Sequence, residues 1–303
     1  MLINFKKILV SFTVFTSSLS FASPTTVEVV WPFAPVSVQS ELVKALINSA
    51  NQEQTKYNFV FVNKPGAGGE VAVRYVESSK NLTVLLSSSS FYIRPLLYKN
   101  SYNVDDFSVV NTVCMKQPLA LISKKYNSIS ELNGKTFTMG VLPGSITSLV
   151  PKTLKTYNTG SNPIEVPYNG TPPIFADVKG GHIDSGISFI GKPTLAKISE
   201  DVNILGITGD RGLPNVKTFE EQGIKGLTKL VADYLVFVPS RVDEQLRKDI
   251  HTIFNKALLA SEVNRWCSED FGQVLKTDYS NLKSVEIENK TRWKNIVGDV
   301  VLQ

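Results

Sequence analysis

The stretch FVNKPGAGGEVAV, residues 61–73, decides the fold prediction. An aromatic and β-branched run, 59–62, ends at Asn63-Lys64-Pro65, and a Gly66-Ala67-Gly68-Gly69 loop then leads into a helix-like segment from Glu70. A strand that opens through glycines into a helix N-terminus exposes peptide N–H groups, and the helix dipole adds to their attraction for an anion. The stretch therefore predicts an α/β unit that could hold an anion.

The same alternation of strand, loop and helix extends to both sides of this stretch. Val27–Trp31 is a predicted strand ending in Pro32-Phe33-Ala34-Pro35, and Leu82–Leu86 is a predicted strand that runs into serines 87–90. Strands alternating with helices predict a parallel sheet, whose ligands bind beyond the carboxyl ends of the strands. All three strand ends carry small or turn-forming residues, which indicates one shared site.

The rest of the chain predicts a second α/β lobe and a return to the first. The second set includes a strand that ends at Val141 and runs into Pro143-Gly144-Ser145, and the chain is predicted helical from Asp243 onward. A chain of 303 residues suggests about two domains of ~150 residues each. We assign residues 24–116 and 236–303 to lobe 1 and residues 117–235 to lobe 2, each a mainly parallel sheet with flanking helices.

The N-terminus predicts export. Lys6 and Lys7 precede an apolar run, Ile8–Phe21, which ends in the small-x-small pattern Ser20-Phe21-Ala22. These are the basic region, the short apolar region and the cleavage site of a secretory signal. We predict a signal peptide over residues 1–22, cut after Ala22 or Ser23, with a membrane-anchored N-terminus as the alternative.

Composition and charge exclude a nucleic-acid-binding protein. The chain is 42% hydrophobic and 19% charged, as is ordinary for a globular protein, and its net charge is +5. Two of those positive charges are in the predicted signal, and no cluster of Lys and Arg interleaves with aromatic residues. A weak positive bias is compatible with an anionic ligand.

The cysteines and histidines predict neither a metal site nor a cofactor. Cys114 and Cys267 are the only thiols, and neither His182 nor His251 stands at ligand spacing from them. An exported protein could form a disulfide, but no spacing indicates one. We predict two buried small residues, with a disulfide as the alternative.

Nucleotide and hydrolase motifs fail in detail. Glu70 follows the glycine loop, where a phosphate-binding loop has lysine, and Ile129 stands where the first glycine would precede Asn133-Gly134-Lys135-Thr136. No Gly-x-Ser-x-Gly elbow is present. Ser145 opens a helix, which is more typical of a helix cap than of a nucleophile. What remains is recognition of an anion by backbone N–H groups at helix N-termini.

The chain resembles the solute-binding receptors of tripartite tricarboxylate transporters, the TctC or Bug family of periplasmic proteins, from about Val27 to Val297. The last two of the segments that carry this resemblance are the most specific. The five segments are WPFAPVSVQS (31–40), VNKPGAGGEVA (62–72), YNVDDFSVV (102–110), VPYNGTPPIFADVKGGHIDSG (166–186) and GITGDRGLPNVKTFEEQG (206–223).

The resemblance implies a type II periplasmic binding protein, with two lobes joined by two crossover strands. Its ligand would be a small carboxylic acid, such as a di- or tricarboxylate or sometimes an aromatic or amino acid, and its partner would be a membrane permease. It implies no enzyme activity, metal or cofactor, a monomeric state and a periplasmic location. Main-chain groups and ordered waters would bind the carboxylate at the positions Phe33, Ala34, Pro35, Ser37, Ala67, Gly68, Ser88, Ser89, Ser145, Thr147, Tyr168, Asn169, Gly170 and Asp184.

The first loop departs from the family pattern. The family reads Pro-Gly-Gly there, with an acidic residue a few positions later, whereas Pro35 is followed by Val36-Ser37-Val38, and Ser40 holds the usually acidic position. Valine accepts neither a positive φ nor a close ligand as glycine does. We predict that Ser37 caps the following helix; the alternative is that its hydroxyl replaces one lost hydrogen bond to the ligand.

Two other functions remain open from the sequence. The same scaffold could present its ligand to a membrane-bound sensor kinase instead of a permease. An exported serine hydrolase using Ser145 or Ser37 is the more distant alternative.

Overall fold

The computed structural model describes residues 23–157, 160–190, 200–212, 215–270, 273–274 and 276–301. The predicted signal peptide, 1–22, lies outside the described residues. The described strands are β1 (Thr25–Trp31), β2 (Tyr57–Asn63), β3 (Thr83–Ser88), β4 (Phe107–Gln117), β5 (Leu119–Ser123), β6 (Thr136–Val141), β7 (Asn162–Pro167), β8 (Ser185–Phe189), β9 (Asn203–Ile207), β10 (Ala232–Pro239) and β11 (Gln273–Val274). The described α-helices are α1 (Val38–Gln52), α2 (Glu70–Ser78), α3 (Ser90–Leu97), α4 (Leu149–Tyr157), α5 (Thr171–Gly180), α6 (Glu244–Ala257), α7 (Ser261–Arg265) and α8 (Leu282–Val301).

The strands form two mixed sheets, and the predicted α/β architecture is confirmed. The first sheet has the order β11-β4-β10-β3-β1-β2, and the second has the order β7-β6-β8-β5-β9. The expected parallel pairing occurs where β1 meets β2 and β3, and where β6 meets β7 and β8. The other pairs are antiparallel, because β4, β5 and β10 carry the chain between the sheets and reverse its direction.

Local sequence explains the parallel half of the first sheet. Val29, Val30 and Trp31 of β1 are buried in a strand that lies between β3 and β2, where β-branched and aromatic residues pack well. The buried side chains of α1 include Leu42, Leu46 and others at helical spacing, as the sequence predicts. This packing fixes the carboxyl end of β1, and with it the loop that follows.

Two short connections join the sheets. β4 leads directly into β5, and the chain returns through Leu230 and Val231 into β10. β10 lies wholly in the first sheet, so it crosses the lobe boundary predicted at 235/236. Lys116, in the first connection, has a φ of +64° and donates its N–H to the buried carboxylate of Asp233 at 2.9 Å. The two connections are therefore bonded to each other.

The C-terminal helix returns to the first lobe, as predicted, and reaches the second. α8 packs against α3, β4 and α4. Arg292 of α8 pairs with Asp233 at 2.6 Å and donates to the carbonyl oxygens of Lys229 and Val231 at 3.3 Å each. Burial raises the pKa of Asp233, with Arg292 opposing that shift. This ion pair fixes the second connection against the terminal helix.

The prediction of two unpaired cysteines is wrong. Cys114 of β4 is bonded to Cys267, with the two Cα atoms 5.6 Å apart across a sequence separation of 153 residues. The fold brings together two positions whose spacing in the chain gives no signal. None of the described helices is long and apolar enough to cross a membrane.

Candidate functional site

A cavity of about 20 Å³ lies between the two sheets, next to the carboxyl ends of β1, β6, β7 and β8. This is where ligands bind in open α/β sheets. Its volume holds about one water molecule, so an organic ligand can enter only if the lobes move apart. The cavity is lined by Trp31, Phe33, Ala34, Ser37, Gln39, Leu142, Gly170, Thr171, Phe189 and Tyr234.

The N-terminus of α1 presents two peptide N–H groups next to this cavity. Ser37 is the N-cap, and its hydroxyl accepts the N–H of Ser40 at 3.1 Å, while the Ser40 hydroxyl accepts the N–H of Ser37 at 3.0 Å. The first turn of a helix has no intrahelical acceptors for its N–H groups. Among the described contacts, the N–H groups of Val38 and Gln39 therefore remain available. The predicted cap at Ser37 is confirmed.

The N-terminus of α5 presents two more donors from the second lobe. Its N-cap is Gly170, followed by Thr171, Pro172 and Pro173. The prolines have no N–H, so among the described contacts the N–H groups of Gly170 and Thr171 are the donors that remain at this helix end. Both residues line the cavity. The N-terminal turns of two helices, one from each lobe, thus border the same space, and the dipole of each helix favours a negative charge near its N-terminus.

The walls of the cavity are aromatic. The Trp31 ring stacks on Tyr234, with centroids 6.4 Å apart, and meets Phe33 edge-on at 5.1 Å. The Tyr234 hydroxyl donates to the side-chain oxygen of Gln117 at 2.7 Å and is also hydrogen-bonded to Gln39. Burial raises the pKa of Tyr234 far above its ordinary value. This tyrosine therefore stays neutral and connects the cavity to the crossover.

The valines of the first loop leave the cavity open. Val36 is 77% exposed, and Val38 packs against the core of the first lobe. Neither lines the cavity, and neither has a positive φ. The loop replaces the glycine conformation with a serine-capped turn in which Ser40 donates to the carbonyl of Pro35 at 2.9 Å. Pro35 itself is exposed at the rim.

The glycine loop contacts the second lobe instead of the cavity. Ala67 and Gly68 both have a positive φ, of 46° and 62°. A Cβ added at Gly68 would lie 2.0 Å from the carbonyl oxygen of Pro143. Glu70 binds Arg94 at 2.8 Å, and the Arg94 guanidinium packs beside Gly144. Although burial raises the pKa of Glu70, hydrogen bonds from Ser101 and Arg94 bring it below its ordinary value.

The serines after β3 and those before α4 are buried and hydrogen-bonded within their own lobes. Ser88 donates to Ser90 at 2.9 Å, and Ser89 accepts the N–H of Asp233 at 2.9 Å. The Ser145 hydroxyl lies 2.8 Å from that of Thr147 and accepts the Thr147 N–H at 3.2 Å. The structure does not bring these four predicted positions to the cavity wall.

The remaining predicted residues of the second lobe, Tyr168, Asn169 and Asp184, do not line the cavity. Tyr168 directs its hydroxyl to Asp177, and burial together with this bond raises the pKa of Tyr168 to about 12. Asn169 is exposed. Asp184 precedes β8 at the opposite end of the sheet, where it binds Lys125 at 2.6 Å and the N–H of Thr138 at 2.9 Å. Of the predicted set, Phe33, Ala34, Ser37 and Gly170 line the cavity.

Sequence reasoning missed six lining residues: Trp31, Gln39, Leu142, Thr171, Phe189 and Tyr234. A signal existed for three of them, because Trp31 ends the first strand, Leu142 directly follows the strand that ends at Val141, and Thr171 follows Gly170. Tyr234 had no signal, since its strand was not predicted.

The serine-hydrolase alternative finds no base in the described structure. His251 is buried, with Nδ1 2.9 Å from the Val110 oxygen and Nε2 2.9 Å from the Asn255 amide nitrogen. His182 lies exposed on a turn beside Gly180. Within the described residues, neither histidine bonds to Ser37 or Ser145, and no group of His, Cys, Asp and Glu could hold a metal ion.

The fold and the interlobe cavity define a two-lobed binding protein, and solved structures share this architecture. The periplasmic binding protein BugD is 20% identical, with 91% of this chain and 97% of that chain covered and a TM-score of 0.78. An R. palustris protein solved with adipate is 19% identical, with 93% and 98% covered and a TM-score of 0.79. MatC from Rhodopseudomonas palustris, with bound malate, is 20% identical, with 91% and 99% covered and a TM-score of 0.75.

Residues 43–302 match the model of the tripartite tricarboxylate transporter family receptor, TctC. The chain therefore belongs to this family of receptors. Among curated protein sequences, no relative matches it.

Proposed function

We propose that this protein is a periplasmic receptor that captures a small organic carboxylate between its lobes. It delivers the acid to the membrane subunits of a tripartite tricarboxylate transporter. The observation that carries the proposal is that the N-terminal turns of α1 and α5, one from each lobe, both supply residues to the lining of one cavity. Two structural neighbours were solved with adipate and with malate, which agrees with a carboxylate ligand.

The free energy of such hydrogen bonds is of the order that capture of a carboxylate requires. A hydrogen bond to a charged group is worth about 1.5–3 kcal/mol. Three or four of them would sum to about 4.5–12 kcal/mol, a range that includes the roughly 8 kcal/mol net of a micromolar dissociation constant, before the cost of association is subtracted. Because Gln39 belongs to one lobe and Gly170 and Thr171 to the other, a ligand can bind to both helix ends at once only when the lobes close on it. The ligand therefore stabilises closure.

The proposed receptor acts as a monomer, without a metal or a cofactor. Export through the predicted signal peptide would place it beside the permease. The membrane partner follows from family membership, and the same capture step would serve a sensory partner equally well.

A thermal-shift screen of organic acids tests the proposal. A ligand at 100 times its dissociation constant should stabilise the fold by about 2.7 kcal/mol. A flat response to mono-, di- and tricarboxylates, aromatic acids and amino acids would contradict it.

The variant Gly170→Val links binding to this cavity. Gly170 has an extended φ of 178°, so valine meets no backbone strain, but its Cβ would lie 3.0 Å from the Cβ of Ala34 in the other lobe. We expect Gly170→Val to weaken binding about tenfold or more while the melting temperature without ligand stays nearly unchanged. Gly298→Val, which meets nothing within 4 Å, is the control. Equal losses of affinity and stability would make the Gly170 turn structural only.

A further inference from the structure

We propose that Arg94 is a positioning residue for lobe closure. From outside the ligand cavity, its guanidinium group holds the first lobe against the Pro143-Gly144 turn of the second lobe. Arg94 lies in α3 and does not line the cavity. The proposal goes beyond the proposed function, because it concerns the equilibrium between open and closed lobes and not the acid that binds.

Contacts within the first lobe fix the Arg94 side chain. Its Nε donates to the Glu70 carboxylate at 2.8 Å, and its guanidinium carbon lies 4.6 Å from the centre of the Tyr98 ring. Glu70 is held in turn by Arg74 at 2.9 Å and by the Ser101 hydroxyl at 2.6 Å. Because all of these residues belong to the first lobe, the guanidinium group keeps its orientation when the lobes separate. The contact with the second lobe therefore forms with little further loss of side-chain entropy.

The second lobe meets this side chain with the backbone of a turn. Gly144, in the turn after β6, has a φ of +75°, and a Cβ added there would lie 2.6 Å from Nη1 of Arg94 and 3.2 Å from the Tyr98 ring. The carbonyl oxygen of the preceding Pro143 lies 2.0 Å from the position that a Cβ of Gly68 would occupy. The two lobes thus approach too closely for a methyl group at either glycine. This contact is lost when the lobes separate.

The charge of Arg94 does not oppose the contact. A guanidinium group is weakly hydrated, and this one is already paired with Glu70. The Arg94 side chain is 12% exposed, and its packing against Gly144 adds dispersion contacts in the closed state. Arg94→Ala removes these contacts, so the closed state should lose population. The apparent dissociation constant of an acid that needs closure then rises in inverse proportion to that population.

Distances between spin labels on the two lobes, measured by double electron–electron resonance on the mature protein without any acid, test the proposal. Gln52→Cys in the first lobe and Asn133→Cys in the second place the labels at exposed positions, and the two native cysteines are bonded to each other. We expect Arg94→Ala to shift the distance distribution toward the open form. Arg74→Ala is the matched control, because Arg74 binds the same Glu70 carboxylate from a half-exposed position, and it should keep the wild-type distribution.

A second variant at the same position guards against loss of the fold. Arg94→Lys keeps a cation beside Glu70 but loses the planar group that packs on Gly144, so it should shift the distribution in the same direction as Arg94→Ala. A wild-type distribution in both Arg94 variants would overturn the proposal. An equal shift in Arg74→Ala, or a wild-type protein with no closed population, would overturn it as well.

A double-variant cycle tests the same contact from the second lobe. Gly144→Ala carries both the clash with Arg94 and the backbone strain of a φ of +75°, whereas Gly181→Ala has the same φ and nothing within 4 Å of its added Cβ. In calorimetric titrations with malate and adipate, we expect Gly144→Ala to weaken binding about tenfold and Gly181→Ala to leave it unchanged. In the Arg94→Ala background, Gly144→Ala should have a much smaller effect, because the two residues are in contact.

Additive losses of affinity in this cycle would overturn the proposal. If the wild-type protein binds neither malate nor adipate, that result counts against the proposed function, and the label distances decide whether Arg94 controls closure.

Discussion

Replacing Gly68 by alanine tests whether closure of the two lobes controls ligand affinity. The added Cβ would lie 2.0 Å from the carbonyl oxygen of Pro143, and real Cβ atoms essentially never approach closer than 3.0 Å. The glycine loop of the first lobe must therefore retreat from the second lobe by about 1 Å, which removes the closed contact. Alanine at a φ of +62° also strains the backbone by about 1–2 kcal/mol, but in the open and closed states alike.

Two measurements separate the backbone strain at residue 68 from the cost of closing the lobes. We expect urea unfolding to show a loss of about 1–2 kcal/mol in stability. If closure is disfavoured by a further 1.4 kcal/mol or more, the apparent dissociation constant rises about tenfold, because binding requires the closed state. Titration calorimetry with the tightest acid of the panel measures this second cost.

Gly134→Ala is the matched control for this variant. Gly134 has a φ of +69° and nothing within 4 Å of its added Cβ, so alanine there carries the backbone strain without the clash. We expect it to lose similar stability and to keep the wild-type affinity. If Gly68→Ala keeps the wild-type affinity, or if both variants lose affinity equally, the reasoning that the Gly68–Pro143 contact belongs to the binding-competent state is refuted.

Three further predictions concern the frame around the site. Burial lowers the pKa of His251, so the unfolded state binds a proton on this histidine more readily than the folded state does. The free energy of unfolding should therefore fall as the pH drops through about 6.5, the ordinary pKa of histidine. In urea titrations between pH 8 and about 5.5, His251→Gln should flatten this dependence on pH, and an unchanged slope would contradict the assignment. The double variant Cys114→Ser, Cys267→Ser should lower the free energy of unfolding by about 2–5 kcal/mol, because the disulfide joins residues 153 positions apart. If reductant does not change the melting temperature of the wild-type protein, this stabilising role of the disulfide is contradicted. Arg292→Gln leaves the buried Asp233 carboxylate without its ion pair and should lower the free energy of unfolding, measured in denaturant, by about 3 kcal/mol. A loss near zero would show that water or the Lys116 N–H is enough to satisfy that carboxylate.

The sequence predicts the helices and strands that local patterning marks, such as a helix that buries only one face. α1 places its apolar residues on one face, and the strand–loop–helix order around Gly66 predicts the parallel part of the first sheet. β10 was missed because all its positions are buried, so Ala232–Pro239 shows no alternation that would separate a strand from a buried helix.

α3 was missed because of a proline. Pro95 lies inside this helix and cannot donate to the carbonyl oxygen of Phe91. The Tyr102 hydroxyl donates to that oxygen instead, at 2.9 Å. The compensating group comes from outside the helix, so a local reading of residues 90–97 finds only a helix breaker.

Some cavity residues could be predicted from local sequence, and others could not. Phe33, Ala34, Ser37 and Gly170 were predicted because they belong to turns that interrupt apolar segments. Phe189 and Tyr234 reach the cavity only because two distant strands end or cross beside it. The pairing of Cys114 with Cys267 also depends on tertiary structure alone.

The most direct test of the account is a crystal structure of the protein with the acid that gives the largest thermal stabilisation. The account predicts a carboxylate between the lobes, with its oxygens about 2.7–3.2 Å from peptide N–H groups at the N-termini of both α1 and α5. A carboxylate paired with a Lys or Arg side chain outside this cavity would contradict it.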